Sequence, residues 1–157
     1  MQEYEINDDT LALVSVGDNC TEVYEKEHIF HVNKNITQVM DDSCLFFGSS
    51  LDGRKKGTER LIGITYKAPI VVEESHELIF FPTCSERYHK DISWIGLKHI
   101  RSYYPDEYNN QKTIVEFQNG MKIPFSIRYA SIDHQILRAT RLESAIRGRK
   151  TRKKRFK

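Results

Sequence analysis

Apolar residues come in short bursts along the first third of the chain. Leu11, Leu13 and Val16 lie in one, Val23-Tyr24 in a second and Ile29-Phe30-His31-Val32 in a third. Asn7-Asp8-Asp9 and Gly17-Asp18-Asn19 carry turn chemistry, so the stretch reads as short strands. The period changes at Asn35. Ile36, Val39, Met40 and Cys44 fit one helical face running to Phe47, with Asn35 as N-cap and Gly48 as the C′ stop. A polar, glycine-containing loop, Gly48 to Thr58, is expected next. Strand-like runs resume at Leu61 to Tyr66, at Ile70-Val71-Val72 and at Leu78 to Phe81, the last closed by Pro82. Ile92 to Tyr104 has room for one or two more. Thr113 to Phe117 and Met121 to Phe125 flank Gln118-Asn119-Gly120, and Asn-Gly is the strongest short hairpin signal in the chain.

A long helix closes the pattern. Ser131 is the expected N-cap, and Asp133 suits the first turn through the helix dipole. Ile132, Ile136, Ala139, Leu142 and Ile146 recur at three- and four-residue spacing and give one apolar stripe. The fold class is therefore α+β: a mostly antiparallel β body, a short internal helix, and a longer C-terminal helix followed by a basic tail. One domain over residues 1–147 is expected, with a tail over 148–157 that is disordered when unbound. Gly148 and the charge run behind it predict that the helix frays there. No internal repeat or interdomain linker is visible.

Composition adds a division of charge. The net charge of +2 is an average. Between Ser144 and Lys157 stand eight Lys or Arg and no acid, so residues 1–143 hold the remaining 16 bases and all 22 acids, a net of −6. Such segregation points to a polyanionic partner, since a mixed surface suffices for solubility. Met1 to Thr10 lack the n- and h-regions of a signal peptide, and no apolar run approaches the ~18 residues that span a bilayer. A soluble, cytoplasmic protein is expected, nucleoid-associated when on DNA. Cys20, Cys44 and Cys84 are an odd number at wide spacing with no C-x-x-C pair, which points to reduced, partly buried thiols.

Two segments carry candidate chemistry. If the last helix continues past Ile146, Arg138, Arg141, Arg149 and Arg152 fall within about 80° of one another beside the apolar stripe. Together with Lys150 they suit a phosphate backbone. In the second segment, Gly53-Arg54-Lys55-Lys56-Gly57-Thr58 sets three cations between two glycine hinges, with Arg60 close behind. It lacks the P-loop spacing, so nucleotide binding is disfavoured. The candidate DNA-binding set is Arg54, Lys55, Lys56, Arg60, Arg138, Arg141, Arg149, Lys150 and Arg152. The histidines show no ligand spacing, the carboxylate pairs look like turns and caps, and no Ser or Cys stands in a nucleophile signature. No catalytic residue, metal site or cofactor is assigned, and an enzyme is not expected. Trp94 and the Tyr103-Tyr104 pair read first as core, with base stacking or a dimer interface as the other use.

From Cys44 to Thr58, C-L-F-F-G-S-S-L-D-G-R-K-K-G-T, the sequence resembles the competence transcription factor family, ComK. The spacing to Lys67-Ala68-Pro69-Ile70, to Ile79-Phe80-Phe81-Pro82-Thr83 and to Ser93-Trp94-Ile95 supports it. So do Phe117-Gln118-Asn119-Gly120 and the helix after Tyr129. The resemblance covers about residues 4 to 147. It implies a transcription activator of genes for DNA uptake and transformation, one that binds paired A·T-rich boxes from the minor groove as dimers forming tetramers. A narrow A·T minor groove attracts Arg and Lys through its enhanced negative potential. RNA polymerase is a further candidate partner. Longer family members carry a Phe-x-Leu-Tyr-Pro-Lys segment read by an adaptor to a Clp protease. The sequence here shows a Lys–Arg run instead, so adaptor-controlled degradation is not carried over. The alternative reading is a shortened, non-activating relative that binds nucleic acid without choosing sequence.

Overall fold

A computed structural model describes the backbone of residues 1–86 and 91–155, with side chains up to residue 150. The elements are β1 (Thr10–Gly17), β2 (Cys20–Glu25), β3 (Ile29–Val32), α1 (Ile36–Phe46), α2 (Leu51–Ile62), β4 (Ile70–Glu73), β5 (Leu78–Pro82), β6 (Ser93–Gly96), β7 (Ile100–Pro105), β8 (Thr113–Phe117), β9 (Lys122–Phe125) and α3 (Tyr129–Arg155). The fold is α+β with antiparallel sheets. Six strands form one sheet in the order β3-β2-β1-β6-β5-β4, and three form a second in the order β7-β8-β9.

Both faces of the large sheet are covered, because its central strands are apolar on both sides. Successive residues point to opposite faces, so Phe80 and Phe81 divide between two cores, as do Trp94 and Ile95. In the first core, Leu13, Val23, Phe80 and Trp94 lie against Ile36, Val39 and Met40 of α1. In the second, Ile79, Phe81 and Ile95 meet Val115, Phe117 and Phe125 of the small sheet and Ile132, Ala139, Leu142 and Ile146 of α3. Trp94 is 1% exposed. The stretch from Ile92 to Tyr104 thus holds two strands, and they belong to different sheets.

Several expectations hold in detail. Asn35 caps α1, its side chain accepting from the Gln38 amide at 2.9 Å, and Gly48 follows the helix with φ 86°. Gly120, in the β8–β9 turn, has φ 91°, the left-handed conformation that favours glycine. Cys44 is buried in the first core, and burial pushes its thiol up to about 11. Among the described residues no helix is long and apolar enough to cross a membrane.

Four expectations are corrected. The segment Gly48 to Thr58 is not a loop: from Leu51 it is helix α2. The Ser50 hydroxyl accepts from the Gly53 amide at 2.9 Å, Asp52 lies in the first turn and Arg60 in the last, and Gly63 ends the helix with φ 71°. Leu61 and Ile62 therefore close a helix rather than open a strand. α3 starts at Tyr129, two residues before the expected cap at Ser131. It also runs on to Arg155 instead of fraying at Gly148. Tertiary anchoring overrides the glycine: Leu142 and Ile146 are buried just before it, and Arg147 and Arg149 grip the β4–β5 turn just around it.

Helix α2 packs along β4, the last strand of the large sheet. Thr58, buried, donates its hydroxyl to the Pro69 carbonyl at 2.6 Å. Leu51 enters the first core, whereas Leu61 and Ile62 reach the second. An edge strand covered in this way is closed to pairing with other chains.

Candidate nucleic-acid interface

The two helices that hold the expected cations pack against each other. α3 buries Ile132, Ala139, Leu142 and Ile146 and leaves Arg141 and Arg149 exposed. α2 leaves Lys56 and Arg60 exposed, with Arg54 and Lys55 half-buried. The fold thus brings Arg54 and Arg149, which lie 95 residues apart in sequence, to one crevice. Between the helices is a crevice of about 90 Å³, lined among others by Gly53, Arg54, Gly57, Glu74, Ile146 and Arg149.

The individual residues do different things. Lys55 pairs with Glu86, and Lys56 with Asp52 one turn back at 3.2 Å. Arg149 donates to Glu74 at 2.7 Å, and Lys150 to the Glu74 carbonyl at 3.2 Å. Arg147 makes two hydrogen bonds to Glu77, at 2.6 and 3.0 Å. Arg138 is turned inward. It donates to the Gln135 side-chain oxygen and to the Tyr66 carbonyl, both at 2.6 Å, and burial pulls its pKa down. Arg60 and Arg141 are exposed and hold no carboxylate among the described residues. Arg152 lies on α3, and its side chain is outside the described residues.

These ion pairs do not cancel the positive surface. Lys56 and Asp52 are 76% and 77% exposed, and a pair so exposed is worth about 0–1 kcal/mol in water. A phosphate that brings several cations together competes easily with partners held that loosely. Arg138 is different, because Gln135 is 1% exposed and ties α3 to the Lys67 and Pro82 carbonyls at 3.0 and 2.8 Å. Arg138 steadies that buried amide.

Sequence reasoning left three participants unassigned. Gly53 and Gly57 were read as hinges, whereas they form a bare strip on α2. Gln135 had no visible role. The β4–β5 turn, Glu73 to Glu77, read as an ordinary turn, yet it supplies the carboxylates that hold the basic end of α3. Within that turn Glu73 is the organiser. Partial burial alone would raise its pKa, but the Ser75 hydroxyl, the His76 and Ser75 amides and the His76 ring outweigh burial and bring it from 4.5 to about 2. A depressed carboxyl stabilises the folded form above its unfolded pKa and loses that effect as pH falls through its folded one. The melting temperature is therefore expected to drop between pH 4.5 and about 2, and less so for Glu73→Gln. Equal acid sensitivity of the two proteins in thermal unfolding would count against this role.

The aromatic candidates separate too. Trp94 is core. Tyr103 is half-buried and donates to Asp133 of α3 at 2.5 Å, tying the small sheet to the helix, while Tyr104 is exposed. No group of three His, Cys, Asp or Glu suited to a metal occurs among the described residues.

A family model, ComK protein, matches residues 1–151. The chain belongs to the ComK family. It is 34% identical over 152 residues to the competence transcription factor of Bacillus subtilis (strain 168), a match that covers 95% of this chain and 78% of that protein. No solved structure matches. The ComK match takes in the whole of both sheets, α1, α2 and most of α3. The cationic helix pair is thus part of the family domain and not an appendage to it.

Proposed function

We propose that the chain is a DNA-binding activator of competence genes, acting inside the cell on paired A·T-rich boxes as a homo-oligomer. The observation that carries this is the packing of α2 against α3. It puts Arg54 and Arg149 on one crevice, on helices that also expose Lys56, Arg60 and Arg141, in a chain whose first 143 residues are net negative. Family membership and the relative named a competence transcription factor support the same reading. Paired half-sites call for protein symmetry, hence the oligomer. Minor-groove A·T tracts suit arginines best, because the narrow groove focuses negative potential. RNA polymerase is the partner that activation requires.

If four to eight phosphates are neutralised, log K against log salt falls with a slope of roughly −4 to −7. Binding to a labelled duplex with two A·T boxes is expected to survive excess G·C duplex and to yield to A·T duplex. A slope near zero removes the electrostatic basis of the proposal. Equal competition by every nucleic acid removes sequence choice and leaves a polyanion-binding module.

A further inference from the structure

The crevice between α2 and α3 holds an unanswered charge. Arg54 Nε is buried without a hydrogen-bond partner, and no carboxylate pairs with its guanidinium among the described residues. A buried N–H left without an acceptor is costly. Glu74 lines the same crevice, but it is engaged with Arg149. None of the described residues answers Arg54 Nε.

A second oddity lies beside the first. Gly53 and Gly57 sit one turn apart inside α2, where glycine weakens a helix relative to alanine. Neither has a positive φ. A Cβ built on Gly57 meets nothing within 4 Å, so no neighbour in the chain requires a glycine there. A Cβ built on Gly53 has less room, lying 3.0 Å from the Ser49 hydroxyl. Bare helix wall, Arg54 with its orphaned Nε and a second arginine all line one crevice. A single kind of partner accounts for all three: a tetrahedral anion on a chain that must approach α2 closely.

We propose that this crevice seats a phosphodiester of a nucleic-acid backbone, with Arg54 and Arg149 as its ligands and Gly57 as the wall against which the sugar-phosphate chain lies. The inference rests on the nucleic-acid reading above and assigns the contact within it. Glu74 holds Arg149 in the free protein, so the arriving phosphate takes the place of that carboxylate. Arg54 Nε gains the acceptor that the described residues do not provide.

The test is a paired measurement on the full chain, with Gly57→Ala and Arg54→Gln beside the unaltered protein. Duplex affinity is read by fluorescence anisotropy and stability by thermal unfolding. Gly57→Ala is expected to melt higher and to bind duplex at least tenfold more weakly. Arg54→Gln is expected to lose at least tenfold in affinity while keeping its fold. If both variants bind like the unaltered protein, the seat is wrong while the nucleic-acid reading stands. If the unaltered protein does not bind duplex, both fall. A lower melting temperature for Gly57→Ala shows that the fold itself needs the glycine and overturns the argument from it. Inorganic phosphate, titrated at constant ionic strength, separates the sources of the anion. Saturable stabilisation by phosphate that is lost in Arg54→Gln, with duplex binding unchanged in that variant, assigns the crevice to a free anion and overturns the proposal.

Discussion

Replacing Arg54, Arg60, Arg141 and Arg149 together by glutamine is expected to weaken duplex binding about a thousandfold at 0.1 M salt, because each lost phosphate contact removes about 0.9 from the salt slope. The slope itself should flatten by about 3.6 on the same account. These four are chosen by geometry and not by charge alone. Arg54 and Arg149 line the crevice and Arg60 and Arg141 are exposed without a carboxylate among the described residues, whereas Arg138 is bound into the Gln135 network. Among the four, only Arg149 gives up a recorded ion pair, the one with Glu74, which costs about 0–1 kcal/mol at a site this exposed. The quadruple variant should therefore unfold like the parent. Arg138→Gln should behave in the opposite sense, losing stability before affinity, since it abandons the Tyr66 carbonyl and a buried amide. A quadruple variant with unchanged salt slope would show that nucleic acid is gripped elsewhere.

Phe81→Ala is expected to destabilise the chain by about 3–5 kcal/mol, the usual cost of removing a fully buried phenyl ring. Phe81 is 0% exposed on β5, in the core shared by the large sheet, the small sheet and α3. The neighbouring strands β4 and β6 fix its backbone, so little collapse can fill the space. Against a total of about 5–15 kcal/mol for an ordinary domain, such a loss unfolds a sizeable fraction of molecules at 37 °C. Denaturant unfolding followed by circular dichroism reads the effect as a lower midpoint at unchanged m. Phe81→Leu, which keeps most of the volume, should lose far less. A cost below about 1 kcal/mol for Phe81→Ala would mean that this core does not hold α3 in place. Duplex affinity should fall with the folded fraction, because the alignment of α3 beside α2 depends on that core.

Legibility followed the range of the interactions. Strands and caps written in adjacent residues were readable: the Asn119-Gly120 turn between β8 and β9, Asn35 before α1, the apolar stripe of α3. Helix α2 was hidden by its own composition. Its inward positions are Leu51 and Thr58, buried, and Leu61 and Ile62, partly buried, a helical spacing in which a threonine takes an apolar slot while two glycines, four cations and two acids fill the rest. Ser50 as N-cap and Gly63 as left-handed stop were the available signals, outweighed by the glycines. The division of β6 and β7 between two sheets has no local signature, since only Leu97–His99 separate them. The candidate site fared likewise. The cations were visible as clusters, and the family resemblance as a motif. Their pairing was not: Arg149 reaches Glu74 across 75 residues, and Arg147 reaches Glu77 across 70. Long-range contacts of that kind are set by the sheets.

The placement of Trp94 has a practical consequence. It is the chain's single tryptophan, and it stands on a central strand with its indole shut away from solvent. Excited near 295 nm, the protein should emit one short-wavelength band from one site. That band should move to longer wavelength only when the large sheet opens. A ligand bound at the outer helices leaves that optical signal in place, so the same cuvette distinguishes a protein that has lost its partner from one that has lost its shape.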